Sequence, residues 1–102
     1  MIRSTTPSIL NITQSTQSRD LLLDCTVSAF PKAKVTWKKV NGLLPKDRIS
    51  WEANGTLLIK RASSEDTGTY ICIASNELGT DRTSFTVTVF GNVALAFFSL
   101  NV

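Results

Sequence analysis

The chain has 102 residues, enough for one domain around one core, and its 42% hydrophobic and 19% charged residues are those of an ordinary globular protein. Its net charge of +3 comes without the dense Lys/Arg clustering of a nucleic-acid binder, and polar residues interrupt every apolar run too often for a membrane span. With no histidine and two cysteines, histidine-based catalysis, haem ligation and most zinc sites are excluded, so neither a metal nor a cofactor is expected.

The amino-terminal MIRSTTPSILNITQ has no apolar h-region and no cleavage motif, so a secretory signal is not expected in it. From there to Phe90 no 3.6-residue apolar stripe develops; short runs alternate with period two and predict an all-β chain. Leu21, Leu23, Cys25 and Val27 alternate against Leu22, Asp24 and Thr26, and Val35 and Trp37 against Lys34, Thr36 and Lys38. Ile49 and Trp51 lead into EANGTLLI, where Asn54-Gly55 between two β-prone runs predicts a type I′ hairpin. Its return strand offers Leu57 and Ile59 to the inside, with Ala62 following. SSEDTG reads as a turn; beyond it Tyr70, Cys72 and Ala74 point one way and Ile71, Ile73 and Ser75 the other. The last strand, RTSFTVTVF, puts Phe85, Val87 and Val89 inward. Seven or more short strands in about 90 residues favour a two-sheet antiparallel sandwich over a barrel or a βαβ fold.

The carboxy-terminal FGNVALAFFSLNV carries no charge, and its apolar stretch from Val93 to Leu100 is much too short for the roughly 20 residues of a spanning helix. Residues 91–102 stand as an apolar tail without an assigned role: the start of another segment, a translated non-coding stretch, or an extra strand on a sheet edge. Uncharged and β-prone, the tail is an aggregation hazard if exposed.

Cys25 and Cys72 fall on the inward faces of two predicted strands far apart in sequence, with Trp37 on the inward face of a third. A disulfide there would cross the core between the sheets and restrict the unfolded chain by roughly 4 kcal/mol. Together with LLLDCTVSAFPKAKVTWKK, RISWEANGTLLI and SSEDTGTYICIASNELG, this pattern resembles the I-set of the immunoglobulin superfamily. The resemblance implies one immunoglobulin-like domain over residues 1–90 with an inter-sheet disulfide. It also implies that Asp66, Gly68, Tyr70 and Cys72 build one corner of the fold. There the tyrosine hydroxyl bonds back toward the aspartate, the glycine permits a tight turn, and Asp66 pairs with Arg48. On this view the four serve the fold and not catalysis. NGTL at Asn54 to Leu57 and ASNxxG at Ala74 to Gly79 match the same family; Ser18-Arg19-Asp20 departs from it, replacing the glycine common before the second strand.

Asn11-Ile12-Thr13 and Asn54-Gly55-Thr56 are glycosylation sequons at predicted edges or turns, although Asn54-Gly55 already has a reason to exist as a turn. Cytoplasmic muscle domains of the resembled family keep similar cysteine positions reduced, so the pair alone does not fix the compartment. With the sequons beside it the extracellular reading is favoured, and the chain is then a fragment of a longer cell-surface or matrix glycoprotein.

On the outer face of the predicted sheet, Ile71 and Ile73 lie beside Lys34, Thr36 and Lys38, with Ser84, Thr86 and Thr88 from the next strand. An apolar centre with a basic rim has the make-up of a contact surface, although single exposed aliphatics are normal on strands. Lys32, Lys34, Lys38, Lys39 and Lys46 could draw a sulfated glycosaminoglycan or an acidic partner; equally, lysines on an edge prevent unwanted strand pairing. The expected function is protein–protein recognition or cell adhesion by an extracellular module, homophilic or heterophilic, with no nucleic-acid partner. The alternative is a structural spacer, including an intracellular titin-like one. An enzyme is not expected, because a nucleophile needs an adjacent activating base and both cysteines are committed to the core.

Overall fold

The structure, a computed structural model, describes residues 4–17, 19–51, 55–90 and 93–98. Within them the alternating runs form eight strands: β1 (Thr5–Gln17), β2 (Asp20–Phe30), β3 (Lys34–Lys39), β4 (Ile49–Trp51), β5 (Thr56–Ile59), β6 (Gly68–Asn76), β7 (Gly79–Phe90) and β8 (Val93–Phe98). The SSEDTG segment holds a 3-10 turn at Ser64–Asp66, with Ser63 and Asp66 completing a capping box. All pairings are antiparallel, in two four-stranded sheets ordered β1-β2-β5-β4 and β3-β6-β7-β8.

Each sheet turns one side-chain set inward, as a period of two requires. Leu21, Leu23 and Cys25 of β2 and Leu57 and Ile59 of β5 meet Val35 and Trp37 of β3, Tyr70, Cys72 and Ala74 of β6, and Val87 and Val89 of β7. Phe85 is half-buried and packs on the edge of this core. Cys25 and Cys72 form a disulfide between central strands of opposite sheets, with a Cα separation of 6.6 Å.

Two donors in the core share one backbone carbonyl. That of Gly55 accepts the Cys25 N–H at 3.0 Å and the Trp37 indole N–H at 3.1 Å. Gly55 has φ +115°, and a Cβ placed on it would overlap the Cys25 carbonyl oxygen. Its partner in the predicted turn, Asn54, lies outside the described residues. Glycine is therefore needed here for close passage over β2 as well as for turning.

β1 does not run smoothly. Its register against β2 shifts between Thr5 and Ser8, around the buried Pro7, which has no N–H for the ladder, and again between Ile9 and Asn11. Beside the second shift the Ile9 N–H donates to Asp81 Oδ2 of β7 at 2.7 Å, clasping the two sheets together. Asn76 adds a second clasp, its Nδ2 donating to the Thr5 carbonyl at 3.0 Å and the Pro31 carbonyl at 2.9 Å. At the other end Gln17 pairs with Asp20, so only positions 18 and 19 connect β1 to β2 where the usual glycine is replaced. Asp20 Oδ1 accepts the Arg61 N–H there at 3.0 Å.

Part of the apolar tail joins the second sheet. β8 pairs with β7 at Val87 with Phe98, Thr88 with Phe97 and Phe90 with Val93, which is the edge-strand alternative of the sequence reading. Among the described residues no helix is long and apolar enough to cross a membrane.

Candidate functional site

The outward face of β3, β6 and β7 is assembled by register. Lys38 lies opposite Ile71, Thr36 opposite Ile73 and Lys34 opposite Ser75; across β6, Ile71 meets Ser84 and Ile73 meets Arg82. The two isoleucines are half-buried between their neighbours, while Lys34, Lys38, Arg82 and Ser84 are exposed. Thr86 is exposed opposite Thr69. Thr88 keeps the outward phase of Ser84 and Thr86 but lies beyond the first residue of β6, Gly68, which pairs with Val87; its cross-strand partner is Phe97 of β8. Arg82 is the member that sequence reasoning missed. Its phase matched Ser84, but its place beside Ile73 follows from the two-residue connection that sets Asn76 opposite Gly79. Among these described positions three are cationic and none is a carboxylate, so the face carries a positive potential around an apolar centre.

The corner residues lie at the far end of β6. Arg48 grips Asp66 in a fork, Nη1 donating to Oδ2 at 3.1 Å and Nη2 to Oδ1 at 3.0 Å. The same Nη1 reaches the carbonyls of Lys60 at 3.0 Å and Arg61 at 3.2 Å, tying the β5 exit to the corner. Asp66 Oδ2 also accepts the Ser63 N–H at 2.9 Å. The hydrogen bond to Asp66 raises the Arg48 pKa, so the guanidinium is charged at every accessible pH. Tyr70 donates its hydroxyl to the Asp66 carbonyl at 2.6 Å; burial, reinforced by the Asp66 charge, pushes its pKa up. Lys39 Nζ donates to the Glu65 carbonyl at 2.8 Å and lies 5.7 Å from the centre of the Tyr70 ring. Gly68 begins β6 next to this stack, its absent Cβ 3.1 Å from Lys39 Cε. Both terminal nitrogens of Arg48 and both carboxylate oxygens of Asp66 are engaged in these bonds.

Of the sequon asparagines, Asn11 is exposed on β1 opposite Thr26, and Asn54 lies outside the described residues. Among the described residues no group of three His, Cys, Asp or Glu could hold a metal ion.

Residues 6–89 match the family model of the immunoglobulin I-set domain. Human neural cell adhesion molecule L1 is 36% identical over 74 residues, a stretch that is 72% of this chain and 6% of L1. The chain thus spans only a small part of that relative. A Dscam structure solved to explain isoform specificity superposes with a TM-score of 0.71 at 28% identity, over 85% of this chain and 25% of that one. A structure of the titin M10 complex with obscurin-like 1 superposes at 0.66 and 28% identity, over 81% of this chain and 92% of that one.

Proposed function

The chain belongs to the immunoglobulin I-set family, and from that membership we propose that it is an extracellular recognition module acting in cell adhesion through the outer face of β3, β6 and β7. One observation carries the reading: Ile71 and Ile73 sit side by side within a rim of Lys34, Lys38 and Arg82 that has no carboxylate. Removing water from the isoleucines supplies affinity, and the cations choose the partner. Two copies of this face would oppose like charges, so the partner is heterophilic and acidic at the matching rim. The exposed Asn11 is compatible with a glycosylated, cell-surface setting. No catalytic activity is assigned to the domain.

The test uses the protein produced through a secretory pathway, as a monomer in sedimentation velocity and as a multimer in binding to cells. The expected result is a monomer over the whole concentration series, with cell binding abolished by the paired change Ile71→Asp and Ile73→Asp. A dimer that grows with concentration and disappears in that variant would replace the heterophilic reading with a homophilic one. The likeness to titin M10 favours a second reading, a spacer that sets distance between neighbouring domains. It predicts that the isoleucine changes leave cell binding where it was and that the cysteines are reduced in the native protein.

A further inference from the structure

On the side of the sandwich away from β7, the edge strands of the two sheets, β3 and β4, face one another across a cleft of about 430 Å³. The segment from Val40 to Arg48 closes one end, because no strand forms there to fill the gap between the sheets. The floor is apolar, made by the buried Trp37 with the half-buried Leu44 and Ile49. Two exposed large apolar side chains stand at the rim, Leu43 at 86% and Trp51 at 41%. Among the described residues the lining includes Lys38, Lys39 and Lys46 and no carboxylate. Lys39 is spent on the Glu65 carbonyl, but Lys38 and Lys46 are exposed.

We propose that this cleft is a second binding site, for an extended acidic peptide segment of another protein that inserts one bulky apolar side chain between Trp51 and Leu44. Size and charge together select that occupant. A volume near the lower end of the roughly 300–1,000 Å³ range of ligand pockets admits a side chain or two and excludes a folded surface. An apolar floor with an aromatic wall is where a single anchor residue concentrates binding energy, and flanking carboxylates find Lys38 and Lys46 on the way in. A second copy of the chain is a poorer occupant, since it would have to present an acidic strip around an apolar side chain while carrying net charge +3. The cleft shares Lys38 with the rim of the sheet face, but its apolar floor is separate: Ile71 and Ile73 take no part in it.

The experiment is isothermal titration of the 102-residue protein with an end-blocked heptapeptide of sequence DEDFDED. Saturable one-to-one binding is expected, weakened about tenfold or more when the central Phe is replaced by Ala, in Trp51→Ala, and in Lys46→Glu. Ile71→Ser with Ile73→Ser, which brings no charge next to Lys38, leaves the affinity unchanged, and this separates the cleft from the apolar centre of the sheet face. Because Trp51 and Lys46 are exposed, the variants keep the fold, checked by an unchanged urea midpoint. Absence of saturation, or affinity indifferent to the Phe and to Trp51, overturns the proposal. So does displacement by a heparin oligosaccharide of a peptide whose binding needs only its charge, which would assign the lysines to sulfated glycan. Self-association lost in Trp51→Ala without any peptide would give the cleft to a second copy and equally overturn it.

Discussion

Replacing Gly55 by alanine would place a methyl group where the Cys25 carbonyl oxygen already sits, on a backbone with φ +115°. Holding an L-residue there costs about 1–2 kcal/mol in backbone strain. The clash with backbone atoms is not relieved by turning a side chain, so the start of β5 must move off β2. That movement breaks the hydrogen bonds from the Cys25 N–H and the Trp37 indole, leaving two buried donors unpaired at about 1–3 kcal/mol each. A net destabilisation of about 4 kcal/mol follows, a large share of the roughly 5–15 kcal/mol of a domain this size. In urea denaturation with the disulfide intact, the midpoint falls by about 2–3 M at unchanged m. Gly42→Ala is the control: the nearest atom to its new Cβ is Lys39 Cδ at 3.6 Å, and stability stays within about 0.5 kcal/mol. A cycle with Trp37→Phe isolates the shared acceptor, because removing the indole N–H costs less once the Gly55 carbonyl has moved. A Gly55→Ala loss below about 1 kcal/mol, or strict additivity with Trp37→Phe, would refute the reasoning.

The remaining predictions concern the corner and the clasp. Tyr70 is the chain's single tyrosine, and burial raises its pKa in the folded protein. Its contribution is therefore complete below the unfolded phenol's pKa of about 10 and is lost above it, at up to about 1.4 kcal/mol per pH unit. Urea midpoints from pH 7 to alkaline pH should show this limb in the wild type and a shallower one in Tyr70→Phe, which also loses about 1 kcal/mol at neutral pH with its bond to Asp66; parallel limbs would count against it. Arg48→Ala leaves the Asp66 side chain, 3% exposed, with only the Ser63 N–H, and costs about 3 kcal/mol. Arg48→Lys restores less than half of that, because an ammonium cannot reproduce the fork; full recovery by lysine in the same denaturation assay would mean that charge alone matters. Asp81→Ala frees the Ile9 N–H at a cost of about 1–2 kcal/mol, and amide exchange at Ile9 should quicken while the core strands keep their protection.

The inward set of β2, β3, β5 and β6 was legible because a strand buried on one face must alternate, and Leu21, Leu23, Cys25, Trp37, Leu57, Tyr70 and Cys72 do. Local order also made the outward phase of Ile71, Ile73, Lys34 and Lys38 readable. What sequence pattern could not supply is lateral position. Arg82 beside Ile73 depends on hairpin register, and the Ile9–Asp81 clasp joins residues 72 positions apart with no periodic signature. The cleft is a negative feature, created where residues 40–48 do not add a strand between β3 and β4, and its walls come from three separate segments. Gly55 was read as half of a turn. Its second task, passing close over Cys25, appears only when β5 is laid against β2.

The two tryptophans give the domain two optical channels. Trp37, 2% exposed, lies opposite Cys72 of the disulfide, and an excited indole in such a place loses its energy by passing an electron to the sulfur pair. Trp51 is open to water. Emission from the native protein should therefore come mainly from Trp51 and be shifted to the red, with Trp37 quenched; a strong blue-shifted band in the oxidised protein would count against this. Reducing the disulfide under conditions that keep the fold should add a blue-shifted band from the enclosed indole. Filling the cleft should instead move the existing red band. Redox state and occupancy can thus be read separately in one cuvette, without a label.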